Sequence, residues 1–218
     1  MANLNDATKF ICGRNPLAKN NRPPFAHPEQ QEAALWLTDG AVNAQRSGKA
    51  AYSGGVTEQG DVLSFQLSSD TPELNAVVVE GGTTVLLEPD IALSGCGCSD
   101  FTCKGAAVLA ESCAKVDIRN AKLITHGATR AATIATTGAT LKVFDSELAT
   151  YGGPLPESYV PVIGPGMMEP PAPLGLGGNC RTHLSMDNSE SYFYRCKIYG
   201  EAWAALSTDS SGGYCYLE

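Results

Sequence analysis

The histidines are the residues of this sequence best suited to proton transfer near neutral pH. Histidine titrates near neutral pH and can accept or give a proton, and the chain has three histidines, His27, His126 and His183. We expect His126 or His183 to act as the catalytic proton-transfer residue, with Glu201 and Tyr151 assisting. The alternative is that these histidines are structural residues held by hydrogen bonds.

A second set of candidates would bind the substrate. Arg181 can hold an anionic group through paired hydrogen bonds, and Tyr199 and Trp203 offer aromatic surface against which a sugar ring can lie. The structural alternative is that these side chains are solvated or pack against the fold. For Tyr192 and Tyr194 we favour packing in the core or over a corner of the fold.

Three cysteines, Cys96, Cys98 and Cys103, lie close together in a glycine-rich segment. Thiolates at such spacings can bind zinc or an iron–sulfur cluster, so a metal ion at this loop is the one cofactor that the sequence suggests. The spacing matches none of the usual metal-binding signatures. The alternative is a loop of small residues whose thiols pack against their neighbours.

The elements that must position these residues repeat along the chain. A triplet of apolar positions recurs after 25 residues: Leu109, Ile118 and Leu123 correspond to Ile134, Val143 and Leu148. The triplet extends in both directions, to Val77, Leu86 and Ile91, to Leu184, Phe193 and Ile198, and to a partial copy from Leu206 to Cys215. Alternating apolar residues and regularly placed turn residues indicate short strands joined by tight turns. A repeat of this length is typical of a solenoid.

Short strands, tight turns and coils of this length resemble the right-handed parallel β-helix of pectin-lyase-like proteins over residues 77–218. The resemblance is one of architecture and includes no catalytic signature. It implies an all-β solenoid in which residues 1–48 form an N-terminal arm and cap, with a short helix over residues 30–38. Residues 49–218 would form the coils, with loops inserted at 95–105 and 152–182.

Both inserted loops leave the coil just after the third apolar position of a repeat. Equivalent positions of stacked coils form columns, and loops gathered on one face often mark a binding face. The sequence therefore predicts that Ser94, His126, Tyr151 and Glu201 line up beneath the loops, at the corner where the site should lie.

The overall charge and hydropathy narrow the classes of partner. A net charge of −8 and a pI of about 4.9 argue against a nucleic-acid partner. No run of apolar residues is long enough for a transmembrane helix, so no membrane partner is expected. The N-terminus lacks the features of a secretion signal, so we expect a cytoplasmic protein with mostly free thiols.

The last copy of the triplet stops before its third position. Because a solenoid that ends in mid-coil exposes strand edges, we expect a second polypeptide, the remainder of a longer chain or a second copy to complete it. We expect an enzyme that acts on a carbohydrate or a similar polyhydroxylated or anionic ligand, by elimination, hydrolysis or isomerisation. The alternatives are a non-catalytic binding or structural scaffold, and a metal-binding protein that uses the cysteine loop.

Overall fold

The structure is a computed structural model that describes residues 31–97, 103–153, 181–201, 204–208 and 213–218. These residues form 18 β-strands and no helix, and most strand pairs are parallel. Residues 1–30 of the expected N-terminal arm and cap, residues 98–102 and 154–180 of the two expected loops, and Trp203 lie outside the described residues.

The first of two sheets has the strand order β17-β14-β11-β8-β5-β1-β2. All of its neighbours pair in parallel except β2, which pairs antiparallel with β1. Its strands are β1 (Ala33–Thr38), β2 (Ala41–Val42), β5 (Asn75–Glu80), β8 (Val108–Glu111), β11 (Thr133–Ala135), β14 (Arg181–Ser185) and β17 (Ala204–Thr208).

The second sheet divides into two arms at the long strand β4 (Val62–Ser69), which pairs with β6 through its first residues and with β7 through its last. Strand β3 (Ser53–Val56) pairs antiparallel with β4. The β18 arm consists of β6 (Thr83–Leu87), β9 (Lys115–Arg119), β12 (Thr140–Phe144), β15 (Ser189–Tyr194) and β18 (Gly213–Leu217). The β16 arm consists of β7 (Asp90–Leu93), β10 (Lys122–His126), β13 (Glu147–Tyr151) and β16 (Lys197–Gly200).

From β5 onward, the chain adds one strand to the first sheet, then one to the β18 arm, then one to the β16 arm. The repeat predicted from the sequence has the correct register in both arms except in its last copy, where Leu217 and not Cys215 pairs with Phe193. One buried column of the β18 arm is Leu86, Ile118, Val143 and Phe193. The matching column of the β16 arm is Ile91, Leu123, Leu148 and Ile198. Because side chains alternate between the faces of a strand, these columns meet the first sheet in one continuous apolar core.

The helix expected over residues 30–38 was wrong, because Ala33–Thr38 forms strand β1 and pairs in parallel with β5. Its residues from Ala33 to Leu37 are all buried. A strand that is buried on both faces has a continuous apolar sequence, which periodicity cannot distinguish from a buried helix.

The predicted register of the first sheet was wrong at both of its ends. Leu109 pairs with Val78 and not Val77, and Leu184 pairs with Ser207 and not Leu206. The central residues Leu109, Ile134 and Leu184 do align. These three side chains belong to a second apolar cluster with Trp36 and Val78, separate from the main core. The first sheet is therefore apolar on both of its faces.

The corner between the two arms is built from residues in the left-handed region of backbone space. Glu88, Asn120, Asp145 and Arg195 occupy this corner in successive rounds, and all have φ between 51° and 56°. Asparagine and aspartate adopt this conformation more readily than other non-glycine residues. The corner therefore turns at the same place in each round, which keeps the strands of the two arms in register.

Gly127 lies where β10 returns toward the first sheet, with a φ of 137°. A Cβ atom at this position would overlap the carbonyl oxygen of Gly95 in the preceding round. We expect Gly127→Ala to lower the free energy of unfolding by at least about 2 kcal/mol, as measured by urea denaturation.

The matched control for this change is Gly55→Ala, because a Cβ at Gly55 would meet nothing within 4 Å. We expect the control to stay within about 0.5 kcal/mol of wild type. Equal losses in the two variants would contradict the steric explanation for Gly127.

Candidate functional site

The outer face of the β16 arm carries three rows of side chains that cross its strands. Alternation places every second residue outward, and in-register parallel pairing aligns these residues from strand to strand. The first row is Asp90, Lys122, Glu147 and Lys197; the second is Ala92, Ile124, Ala149 and Tyr199; the third contains His126, Tyr151 and Glu201.

These rows form a shallow trough that runs across the strands. Its floor is Ala92, Ile124 and Ala149, which are short or apolar, and longer polar side chains flank it on both sides. Tyr199, which is 51% exposed, closes the floor at β16. An apolar floor between rows of hydrogen-bonding groups suits a ligand that has both C–H and hydroxyl surfaces.

The third row brings together three residues that the sequence singled out. The rings of His126 and Tyr151 stack with centroids 4.6 Å apart and planes 11° apart, and Tyr199 lies 5.4 Å from Tyr151 in a tilted arrangement. The backbone N–H of Gly152 donates a hydrogen bond of 2.8 Å to Glu201 Oε2. This contact orients an exposed carboxylate on the same edge of the trough as the exposed imidazole of His126, with Tyr151 of β13 between them.

On the opposite side, the first row borders a groove of about 420 Å³ at the corner between the two arms. Arg195 and Asp145 lie in this groove and hold each other through two hydrogen bonds of 2.7 and 2.9 Å. The hydrogen bond from Arg195 lowers the pKa of Asp145, and the same contact raises the pKa of Arg195. Each of these two charges therefore has a partner within the protein.

Lys122, Glu147 and Lys197 of the first row also line this groove. All three are exposed, and within the described part of the chain none of them forms an ion pair. Along the row, the two lysine ammonium groups are hydrogen-bond donors, and the glutamate carboxylate between them is an acceptor. Hydroxyl groups, which both donate and accept hydrogen bonds, can be bound by such a row.

This row was not among the residues predicted from the sequence, although the repeat contains a signal for it. Each of these residues directly precedes the third apolar position of its copy, which is Leu123, Leu148 or Ile198. A residue next to an inward-facing one must point outward. The template would therefore have placed Lys122, Glu147 and Lys197 in one exposed column.

The outer face of the β18 arm carries stacked aromatic rings. Phe144 stacks on Tyr194 with centroids 4.8 Å apart, and Tyr192 stacks on Tyr216 at 4.5 Å. Tyr192 and Tyr194 are half-buried and point outward, so of the two alternatives for these residues, packing in the core was wrong. These separations match the spacing of paired strands, so each stacked ring face is covered by the next ring. The stacks join neighbouring strands, and a ring face inside a stack is not available to a sugar.

The hydroxyl of Tyr192 also donates a 2.8 Å hydrogen bond to the carboxylate of Glu190. This contact is the main reason that the pKa of Tyr192 is raised to about 12. The phenol therefore stays protonated at physiological pH and acts as a hydrogen-bond donor within the sheet.

His183 and Arg181 do not join the trough, because both lie in β14 of the first sheet and are fully buried. His183 bonds to Thr133 Oγ1 through Nδ1 and to Ser185 Oγ through Nε2, at 2.9 and 3.0 Å. Burial lowers the pKa of His183 to about 3, so the ring is neutral at physiological pH. A solute outside the fold cannot reach these two side chains, and we therefore leave them out of the candidate site.

The cysteines of the expected metal loop are only partly described. Cys96 is half-buried and Cys103 is buried in the second apolar cluster, while Cys98 lies outside the described residues. Within the described ranges, no three His, Cys, Asp or Glu side chains are grouped closely enough to hold a metal ion. Cys113 is disulfide-bonded, whereas no disulfide is assigned to Cys96, Cys103, Cys196 or Cys215.

No helix that is long and apolar enough to cross a membrane occurs in the described residues. The chain matches no protein-family model, no curated protein and no solved structure in the three comparisons that were made. The candidate site is therefore interpreted from its own geometry.

Proposed function

We propose that the chain is a right-handed parallel β-helix that binds a glycan along the trough of the β16 arm. Three consecutive strands per round, each pairing in parallel with the strand one round later, support the β-helix. Crossovers between parallel strands are right-handed in nearly all proteins, which supports the handedness. This architecture is that of pectin-lyase-like proteins, and the resemblance contributes the carbohydrate class of ligand only as an analogy.

The trough itself is the observation that carries the proposal. A pyranose ring has apolar C–H faces and a rim of hydroxyl groups, and the trough offers an apolar floor between two polar rows. Ile124 would contact a ring face, while Lys122 and Glu147 would bond to its hydroxyls. The trough crosses four strands at about 4.8 Å per strand, which suits an extended chain of a few sugar units.

Binding without catalysis explains the described residues better than an enzyme site does. The apolar floor and the row of Lys122, Glu147 and Lys197 can hold a ligand without any other group. An enzyme site would need His126 and Glu201 to act together, although they lie on strands that are separated by β13. A non-catalytic glycan-binding protein is therefore our leading proposal.

An enzyme is the second candidate, and the third row of the trough favours it. His126 and Glu201 are exposed on the same edge, where a bound glycan would contact both. His126 would transfer the proton and Glu201 would orient the reacting group or assist as a base. Tyr151 would hold the imidazole by stacking.

The test is a binding screen of neutral and acidic oligosaccharides by isothermal titration calorimetry, using wild type and two variants. We expect the double variant Lys122→Ala/Tyr151→Ala to weaken binding at least about tenfold, since each lost hydrogen bond or ring contact contributes about 1 kcal/mol. The matched control is Tyr214→Ala, because Tyr214 is 56% exposed on the other arm. We expect wild-type affinity from this control.

The same protein and ligand mixtures, analysed by chromatography for shorter or unsaturated products, separate the two candidates. Products that disappear in His126→Asn would support the enzyme, whereas intact ligand after long incubation would support binding alone. If no oligosaccharide binds, or if the trough and control variants weaken binding equally, the proposed site is wrong.

A further inference from the structure

The first row of the trough carries charges that alternate in sign from strand to strand. In-register parallel pairing places Asp90, Lys122, Glu147 and Lys197 side by side on β7, β10, β13 and β16. All four side chains are exposed. The charges along the row are therefore negative, positive, negative and positive, and the same sign returns on every second strand.

The charges of this row are not neutralised by ion pairs within the fold. In the part of the chain that the structure describes, none of the four residues takes part in an ion pair. Arg195, the third cation that lines the adjoining groove, already binds Asp145 through two hydrogen bonds. The two lysines are therefore the cations that the described part of this groove offers to a ligand.

The spacing of the two lysines sets the spacing of the groups that they can bind. Strand β13 lies between β10 and β16, so Lys122 and Lys197 project from strands that are about 9.6 Å apart, twice the strand spacing. One pyranose unit of an extended chain advances by about one strand spacing. Two negative groups that contact both lysines are therefore carried by alternate sugar units.

The carboxylate between the lysines selects against a negative group on the intervening unit. Glu147 faces the sugar that lies over β13, and its carboxylate accepts hydrogen bonds from hydroxyl groups. An acidic group at that place would meet a like charge, and such repulsion is a common source of specificity. Asp90 has the same effect on a unit that lies over β7.

We propose that the trough binds a glycan in which negatively charged and neutral sugar units alternate. This inference rests on the proposed glycan binding and names the class of glycan. Lys122 and Lys197 each bind one acidic unit through charge-assisted hydrogen bonds, and Glu147 binds the neutral unit between them. A protein of net charge −8 also repels a chain charged at every second unit less than a fully charged one.

The experiment compares trisaccharides of glucuronate and N-acetylglucosamine by isothermal titration calorimetry at low ionic strength. The first ligand has glucuronate at both ends, the second has it only in the middle, and the third has none. The first can contact both lysines, whereas the second can contact one. Because an exposed ion pair contributes up to about fivefold in affinity, we expect the first to bind about fivefold more tightly than the second. The third should bind most weakly.

Lys122→Gln and Lys197→Gln test whether both lysines are used. Each variant keeps one lysine of the row, so we expect either change to reduce the preference for the first ligand over the second to less than about twofold. Lys115→Gln is the matched control, because Lys115 is an exposed lysine on the β18 arm. This control should keep the wild-type preference.

A fourth ligand, a trisaccharide of three glucuronates, tests the position over Glu147. Its middle acid meets a like charge, so we expect wild type to bind it about threefold more weakly than the first ligand. Glu147→Gln removes that charge and should remove the difference.

Three results would overturn the alternation. They are equal affinity of wild type for the first two ligands, a preference that both lysine variants leave unchanged, and equal affinity for the first and fourth ligands. Equal binding of all four would leave the proposed glycan binding in place while this inference fails. If none of the four binds, this inference fails, and the proposed function fails with it only if the wider screen of oligosaccharides is also negative.

Discussion

Replacing Arg130 with alanine is expected to cause the largest loss of stability of any single substitution proposed for this protein. The Arg130 side chain is buried, and its guanidinium donates hydrogen bonds to five backbone carbonyls. The acceptors lie in three separate segments: Thr71 and Leu74, Ser94 and Gly95, and Gly105. One side chain, just before β11, thus holds together the segments that lead into β5 and β8 in the preceding rounds.

Burial lowers the pKa of Arg130 to about 10, so the group is still charged at physiological pH. The carbonyl oxygens compensate a buried positive charge. Removal of the guanidinium leaves these carbonyls without their donor and creates a cavity where the side chain was. Breaking a buried charged network by truncating one member typically costs about 3–5 kcal/mol, and we expect a loss of that size for Arg130→Ala.

Two variants make the measurement specific to the guanidinium. Arg130→Lys keeps a positive charge but has only three donors on one nitrogen, so we expect an intermediate loss. Arg119→Ala removes an exposed arginine that pairs with Asp117 at the surface, and we expect a change within about 1 kcal/mol. Urea denaturation followed by circular dichroism gives the three values. A loss below about 1 kcal/mol in Arg130→Ala would contradict the role assigned to this residue.

The second large effect concerns pH and the buried imidazole of His183. Thr133, His183, Ser185 and Ser191 form a hydrogen-bonded chain inside the fold, closed by a 2.8 Å contact between the two serines. The edge of the imidazole also meets the ring of Phe193, with centroids 4.9 Å apart. A charged imidazole would have no compensating anion among these neighbours.

Desolvation therefore lowers the pKa of His183 from 6.5 in the unfolded chain to about 3 in the folded protein. Between these values the unfolded state binds more protons than the folded state, so stability rises with pH across this window. The stabilisation is complete above pH 6.5 and is lost progressively as the pH falls toward 3. The slope for one such group approaches about 1.4 kcal/mol per pH unit.

The measurement is the free energy of unfolding of wild type and His183→Gln at pH values from 3 to 8. Glutamine can keep a hydrogen bond to Thr133 or Ser185 and does not titrate. We expect the difference between the two proteins to shrink as the pH is lowered below 6.5. The carboxylates titrate in both proteins, and their contribution cancels in that difference.

His126→Gln is the matched control, because His126 is exposed on the outer face of the β16 arm. A change of profile that occurs in His183→Gln and not in His126→Gln would assign the effect to the buried imidazole. Parallel profiles for wild type and His183→Gln would show instead that the buried imidazole does not control acid stability.

The sequence predicted the register of both arms as far as β15 and β16, because inward apolar positions such as Ile118 and Val143 alternate there with outward ones. The last copy was wrong by two residues, since Leu217 and not Cys215 pairs with Phe193. The spacing of the corners then sets the register from one round to the next. The same alternation brought His126, Tyr151 and Glu201 to one exposed edge, where the structure also places them.

The first sheet was less predictable because both of its faces are apolar. A one-residue shift in a strand exchanges its two faces, and an apolar residue occupies either face of strands such as Ala33–Thr38 and Asn75–Glu80. The pattern therefore could not distinguish Val77 from Val78, or strand β1 from a helix. It also could not show that His183 and Arg181 point away from solvent.

What the sequence alone determined is the repeat, the all-β class and the exposed row around Tyr151, since these depend on local alternation and on turn spacing. The tertiary structure decided which polar residues are accessible. His183 and Arg130 are of residue types that are common in functional sites, yet both are buried. Their hydrogen-bond partners come from strands and corners that lie far away in the sequence. Lys122 and Glu147 became candidates because parallel pairing brings residues 25 positions apart onto neighbouring strands.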